Sequence, residues 1–186
     1  MPDTFDKAAL RRRYLALRDS VDPLERATWS ASACRHLADF CEARSIHSLA
    51  VFWPLGSEID LRPLMDAHPF WTFHFPRIVS KDPPRLAWGP RPLGPGAWGL
   101  QEPLAAPFAL PPVQLVLVPG LAFAADGHRL GYGRGFYDSV LAGLPPEVAT
   151  LGVGFACQRC DRLPTGPTDL PVGGMADQCG ITFTPA

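Results

Sequence analysis

Lysine and long apolar stretches are the two things this chain has least of. Only Lys7 and Lys81 are lysines among 17 cationic residues, so the single ammonium near the start stands out against a background of guanidinium groups. The longest apolar runs, at 49–53 and 115–118, are strand length and fall far below the ~20 residues of a membrane-spanning helix. The N-terminus also lacks a signal-peptide core. A formal charge of −1 supplies no global field for nucleic acid or membrane, so an anionic ligand needs a local cationic patch. Cys157 and Cys160 form the sole CxxC pair, without the second pair that a zinc site needs. Five cysteines, an odd number in a chain too large to depend on disulfides, read as reduced thiols in a cytoplasm. No Gly-Lys pair exists, which excludes a Walker loop. The glycines also miss the dinucleotide fingerprint, because Phe136 or Asp138 stands where its last glycine belongs.

At 186 residues and 47% hydrophobic composition, the chain has the size and apolar content of one folded domain. Its organising stretch runs from Val116 to Leu141, VLVPGLAFAADGHRLGYGRGFYDSVL. Gly131, Gly133 and Gly135 alternate in it, allowing close approach to a ligand and φ values closed to other residues. Arg129 and Arg134 bracket the loop with planar donors suited to phosphate, and Asp138 follows as a hard oxygen ligand for magnesium. Chemistry alone leaves two readings open, a phosphate cradle or a tight structural loop.

A first helix is expected over 4–18, with Leu10, Tyr14 and Leu17 on a buried seam and Lys7, Arg11 and Arg18 in a stripe beside it. That stripe fits either a solvated face or a second phosphate clamp. Asp22 and Pro23 open a second helix reaching about Ala43, with Cys34, Leu37, Ala38 and Cys41 facing the core. The runs 48–53, 113–118 and 150–155 read as buried parallel strands. Ligands in open α/β sheets sit beyond the carboxyl ends of strands, which makes Trp53, Glu58 and Asp60 a candidate pocket rim. Asp60 reads better as the cap of a short helix from Leu61. Residues 70–75 suggest another strand closed by Pro76 and Arg77. From there to Pro112 the chain reads as a loop-rich insertion with a short strand at 86–88, and Trp88 and Trp98 either cover a ligand or pack beneath the loop. A short helix is expected from about Arg134 to Leu141, its positive end facing the ligand, and the tail after Gln158 reads as mostly irregular.

The run PGLAFAADGHRLGYGRGFYD resembles the signature of the 5-formyltetrahydrofolate cyclo-ligase family, close to PGLAFDxxGxRLGxGxGYYD. KAALRRR, WPLGSEID, GAWGLQEP and VGFACQ resemble further family segments in the same order. Three departures stand out: Ala124 replaces the usual aspartate, Phe136 the usual tyrosine, and LPTGPTD carries Gly166 and Thr168 where LPxExxD has an acidic residue and commonly a histidine or aromatic.

The resemblance implies a single α/β domain, three-layered, with a mostly parallel Rossmann-like sheet flanked by helices. It also implies ATP- and magnesium-dependent cyclisation of 5-formyltetrahydrofolate to 5,10-methenyltetrahydrofolate. On this basis Lys7, Arg11, Arg129, Gly131, Tyr132, Gly133, Arg134, Gly135, Phe136 and Tyr137 are expected at ATP. Trp53 and Glu58, with Tyr132, Gly133, Arg134, Gly135 and Phe136, are expected at the folate. Arg134 and Tyr137 take the catalytic role, while Asp138 holds magnesium, with Asp169 as a second candidate. The expected partners are small molecules, with neither nucleic acid nor membrane, and the expected state is a monomer. The altered tail also admits a non-catalytic relative that binds folate, nucleotide or RNA.

Overall fold

Leu115 and Leu117 enter one apolar cluster while Val116 and Val118 enter another, because successive side chains of a strand point to opposite faces. This one run therefore separates the layers of the molecule. The computed structural model describes residues 6–105 and 109–185. In chain order the elements are α1 (Lys7–Asp19), α2 (Pro23–Ala43), β1 (Ser48–Ala50), α3 (Arg62–Ala67), β2 (Thr72–Lys81), β3 (Pro84–Gly89), β4 (Leu93–Pro95) and β5 (Gln101–Pro103). There follow β6 (Leu115–Pro119), β7 (Ala122–Ala124), β8 (Arg129–Leu130), α4 (Phe136–Ala142), β9 (Ala149–Val153), β10 (Arg159–Cys160), β11 (Gly174–Asp177) and β12 (Gly180–Phe183).

The central sheet has seven strands in the order β12-β11-β9-β6-β1-β2-β3. The pairings from β11 to β2 are parallel and both edge strands are antiparallel. Buried Leu37 and Cys41 of α2 and Leu64 and Met65 of α3 join Leu49, Leu115 and Leu117 on one face. Tyr137, Val140 and Leu141 of α4 pack with Val116 and Val118 on the other. The result is the expected α/β layering around a mostly parallel sheet. Asp22 caps α2 by accepting from the Leu24 amide at 2.8 Å, with Pro23 in its first turn.

Several expectations need correction. The proposed start of the first helix at Thr4 lies outside the described residues; α1 is capped by Asp6, which accepts from the Ala8 amide. Leu17 is 39% exposed and Arg18 is buried in its place. Strand β2 does not stop at Pro76 but continues to Lys81. Its pairing with β1 ends at His74, so Pro76 has only β3 alongside and its missing N–H costs the ladder little. The loop-rich insertion does hold the expected strand at 86–88, lengthened to the edge strand β3, and it adds an unexpected hairpin, β4–β5. The tail is not mostly irregular either: β11 pairs with β9 and turns into β12. Helix α4 starts at Phe136, two residues later than expected, and its seven residues carry little macrodipole.

Candidate active site

The chain leaves β1 towards β2 on one side of the sheet and leaves β6 towards β9 on the other, so the order reverses between β1 and β6. A crevice opens at such a point, beyond the carboxyl ends of the two strands. Here a cavity of about 660 Å³ lies at that point, lined by Phe52, Trp53, Leu55 and Glu58 after β1 and by Pro119 at the end of β6. This is within the range of small-molecule sites. Pro76 and Ile78 of β2, Leu86 of β3 and Trp98 of the β4–β5 hairpin supply an apolar wall.

The residues that the family resemblance puts at ATP, folate or magnesium all line this cavity. Lys7 and Arg11 reach it from α1, Trp53 and Glu58 from the segment after β1, and Asp169 from the tail. Arg129, Gly131, Tyr132, Gly133, Arg134, Gly135, Phe136, Tyr137 and Asp138 complete it from the glycine loop and α4. Asp60 does not join them; its carboxylate accepts from the Arg62 amide and guanidinium at the start of α3. Trp88 is buried in the core, whereas Trp98 stands 49% exposed at the cavity wall, so only the second of the two can face a ligand. Ile78 escaped sequence reasoning because Pro76 reads as the close of its strand, and nothing in the sequence assigns Leu86, expected in a short strand, to the site.

The cationic stripe of α1 is not a solvated face. Tyr14 anchors the helix against Leu121, Ala122 and Leu130, which turns Lys7 and Arg11 over the glycine loop. Arg11 donates through Nε to the Gly131 carbonyl at 2.9 Å. At Gly133 the φ of +84° favours glycine, and an added Cβ would sit 2.9 Å from the Arg11 guanidinium carbon, so the arginine would have to shift. Gly135 also has positive φ, at +71°. Gly131 does not, and has open space beside it, so of the two properties expected of these glycines only close approach to a ligand applies to it.

The acidic residues are already paired. Asp138 Oδ1 accepts from Arg129 Nη1 at 3.1 Å, and Arg129 also donates to the Leu170 carbonyl. Asp169 accepts a short bond from Lys7 and one from the Gly166 amide at 2.6 Å. Burial raises the Asp169 carboxyl, but the Lys7 contact and the Gly166 amide outweigh it and hold the group below the usual carboxylate range. Among the described residues no group of three or more potential ligands gathers around one point.

Glu58 behaves oppositely. Its side chain is 8% exposed, and burial pushes the carboxyl up despite bonds from the Tyr132 hydroxyl and the Leu55 amide. Burial and the Glu58 charge raise both Tyr132 and Tyr137, which therefore remain neutral O–H donors. Among the described residues the Tyr137 hydroxyl and Arg129 Nε are buried without a partner, and both residues line the cavity. Orphaned polar atoms at a cavity wall are the groups a polar ligand would satisfy. Overall the cavity joins an apolar, aromatic side carrying one acceptor to a glycine loop ringed by cations.

The sequence model of the 5-formyltetrahydrofolate cyclo-ligase family matches residues 3–176. A 5-formyltetrahydrofolate cyclo-ligase of Haemophilus influenzae is 25% identical over 187 residues, covering 91% of this chain and 96% of its own. That of Escherichia coli K12 is 24% identical over 170 residues, covering 83% and 91%. The solved structure of Aquifex aeolicus 5,10-methenyltetrahydrofolate synthetase superposes with a TM-score of 0.82 at 27% identity, over 97% of this chain and 93% of that one. A 5,10-methenyltetrahydrofolate synthetase from Mycoplasma pneumoniae shares the fold at a TM-score of 0.77 and 20% identity, over 94% and 99%.

Proposed function

The chain belongs to the 5-formyltetrahydrofolate cyclo-ligase family, and from that premise we propose that it cyclises 5-formyltetrahydrofolate to 5,10-methenyltetrahydrofolate using ATP and magnesium. The observation that carries this reading is the two-sided cavity. Trp53, Phe136 and Glu58 suit a flat, N–H-bearing heterocycle, and Lys7, Arg11, Arg129 and Arg134 around the glycine loop suit phosphates.

In this reading the formyl oxygen attacks the γ-phosphorus of ATP and the bond to ADP breaks. N10 then attacks the activated formyl carbon and loses its proton, and the carbon–oxygen bond to phosphate breaks as the ring closes. No protein nucleophile takes part. Arg134 and the other cations stabilise charge on the transferring phosphoryl group, a positioning and electrostatic role. Tyr137, a neutral donor with no partner among the described residues, takes the role of hydrogen-bonding a reacting oxygen. The walls exclude water from the activated formyl group.

Asp138 and Asp169 are the residues that would hold magnesium. One or two carboxylates completed by phosphate oxygens and water is the donor set this ion favours. Asp138 is paired with Arg129 and Asp169 with Lys7. When bound, the ion would neutralise phosphate charge. The whole chain is read as one domain acting in the cytoplasm on small molecules, as a monomer. No helix among the described residues is long and apolar enough to cross a membrane.

The purified protein mixed with 5-formyltetrahydrofolate, ATP and magnesium is expected to develop the methenyl absorbance, and to develop none without ATP. Absence of an ATP-dependent change would overturn the assignment. Binding of both ligands without product would identify a non-catalytic relative instead.

A further inference from the structure

A buried arginine stands behind the cavity wall and has no part in the chemistry above. Arg18 is 3% exposed and is not among the residues that line the cavity. A guanidinium so far from water needs partners, since an uncompensated buried charge is strongly destabilising. Its Nε donates to Ser57 Oγ at 2.9 Å, and Ser57 in turn donates a short bond to Asp19. Its Nη1 donates to the Tyr132 hydroxyl at 3.1 Å and lies 3.9 Å from Glu58 Oε1. Tyr132 then donates to Glu58 Oε1 at 2.6 Å.

The direction of this chain of bonds is fixed by chemistry. Arginine can only donate and an ionised carboxylate can only accept, so the single Tyr132 proton points at Glu58. The other carboxylate oxygen accepts from the Leu55 amide at 2.9 Å. Each oxygen has further lone pairs, and neither can donate. Glu58 is therefore offered to the cavity as a fixed acceptor.

We propose that Arg18 is a positioning residue for the reduced folate, acting through Tyr132 to hold the Glu58 carboxylate as an acceptor for the N–H edge of the pteridine. The inference rests on the folate reading given above. It excludes direct contact between Arg18 and either substrate, because the arginine lies behind the wall. Ser57 and Asp19 give the guanidinium an anchor of its own, so the arm to Tyr132 adds alignment of two cavity residues to a charge already held.

The test is direct titration of 5-formyltetrahydrofolate and of ATP into the full chain and its variants. Arg18→Met is expected to weaken the folate roughly tenfold or more, the scale of a lost charge-assisted bond, and ATP by less than about twofold. Arg18→Lys should recover part of the folate affinity. In a Glu58→Gln background Arg18→Met should add less than about twofold, because residues acting through one another are not additive. Equal weakening of both ligands, or an undiminished Arg18 effect beside Gln at position 58, would overturn the proposal. If Arg18→Met fails to fold, Tyr132→Phe breaks the same link while keeping the ring and the Arg18–Ser57 bond. Selective loss of folate affinity in that variant that vanishes in a Glu58→Gln background supports the role, whereas unchanged affinity, or a loss that persists beside Gln at position 58, overturns it. Wild-type protein that binds no reduced folate overturns the proposed function as well, whereas wild-type binding with an unselective variant overturns only the role of Arg18.

Discussion

Glu58 and Asp169 share one cavity and are tuned in opposite directions. For Glu58 burial dominates, so its folded-state pKa lies above the unfolded value. Its contribution to stability is then fully present below the unfolded value of about 4.3 and is lost as pH rises through the raised one. Folate binding has the opposite sign, because the ionised carboxylate offers two charged acceptor oxygens to the pteridine N–H edge whereas the protonated group turns one of them into a donor. The dissociation constant for 5-formyltetrahydrofolate should therefore rise as pH falls through a limb lying above the ordinary glutamate range. Glu58→Gln should bind more weakly and without that limb; titration of both proteins across the weakly acidic range checks this, and an identical limb in the variant would rule Glu58 out as its source. For Asp169, whose pKa is lowered, the Lys7 pair is present above the unfolded value and is lost only as pH falls through the lower one. The two events are separable, since the Lys7–Asp169 pair stays intact while Glu58 titrates.

At the scale of elements, the turn after β6 is held by a residue whose task is invisible in its motif. Gln158 is 1% exposed and donates through Nε2 to the Gly120 and Leu121 carbonyls at 2.9 and 3.0 Å. Its Oε1 accepts from the Phe155 amide at 2.9 Å, tying the turn after β9 to the turn after β6. Gln158→Leu would strand three buried backbone groups and is expected to destabilise by about 2–4 kcal/mol, each unsatisfied group costing about 1–3 kcal/mol before relaxation. Denaturant unfolding measures it, and a loss below about 0.5 kcal/mol would mean that water replaces the side chain. The strands that frame this turn are legible because buried parallel strands are continuous apolar runs: Leu115–Pro119 and Ser48–Ala50 need no tertiary information. Strand β11 is different. Gly174 and Asp177 are poor strand residues, and the segment becomes a strand through pairing with β9, while Asp177, 0% exposed, is neutralised by Arg159 at 2.5 Å. Long-range pairing of this kind leaves no local pattern. In the site, motif spacing was enough for the glycine loop, Trp53 and Glu58. The burial of Arg18 could not be read, because a cation beside an apolar seam fits a solvated face equally well until Ser57 and Tyr132 are brought to it.

The molecule as a whole builds its cavity from parts far apart in sequence, Lys7 in the first helix and Asp169 near the end. A ligand that bridges them binds only the folded state, so its binding free energy adds to global stability. ATP with magnesium at about 100 times its dissociation constant should add about 2.7 kcal/mol. For a chain of this size each kcal/mol moves the melting temperature by roughly 2–4 °C, giving a rise of roughly 5–10 °C. Lys7→Ala with Arg11→Ala removes two of the cations that turn over the glycine loop, and so should lose most of the rise produced by the same ATP concentration. The rise produced by 5-formyltetrahydrofolate should largely survive, because Trp53 and Glu58 are untouched. Thermal unfolding of both proteins with each ligand separates these contributions. An unchanged ATP response in the double variant would show that α1 packs beside the nucleotide site without forming part of it, and the phosphate contacts would then fall to Arg129, Arg134 and the loop amides.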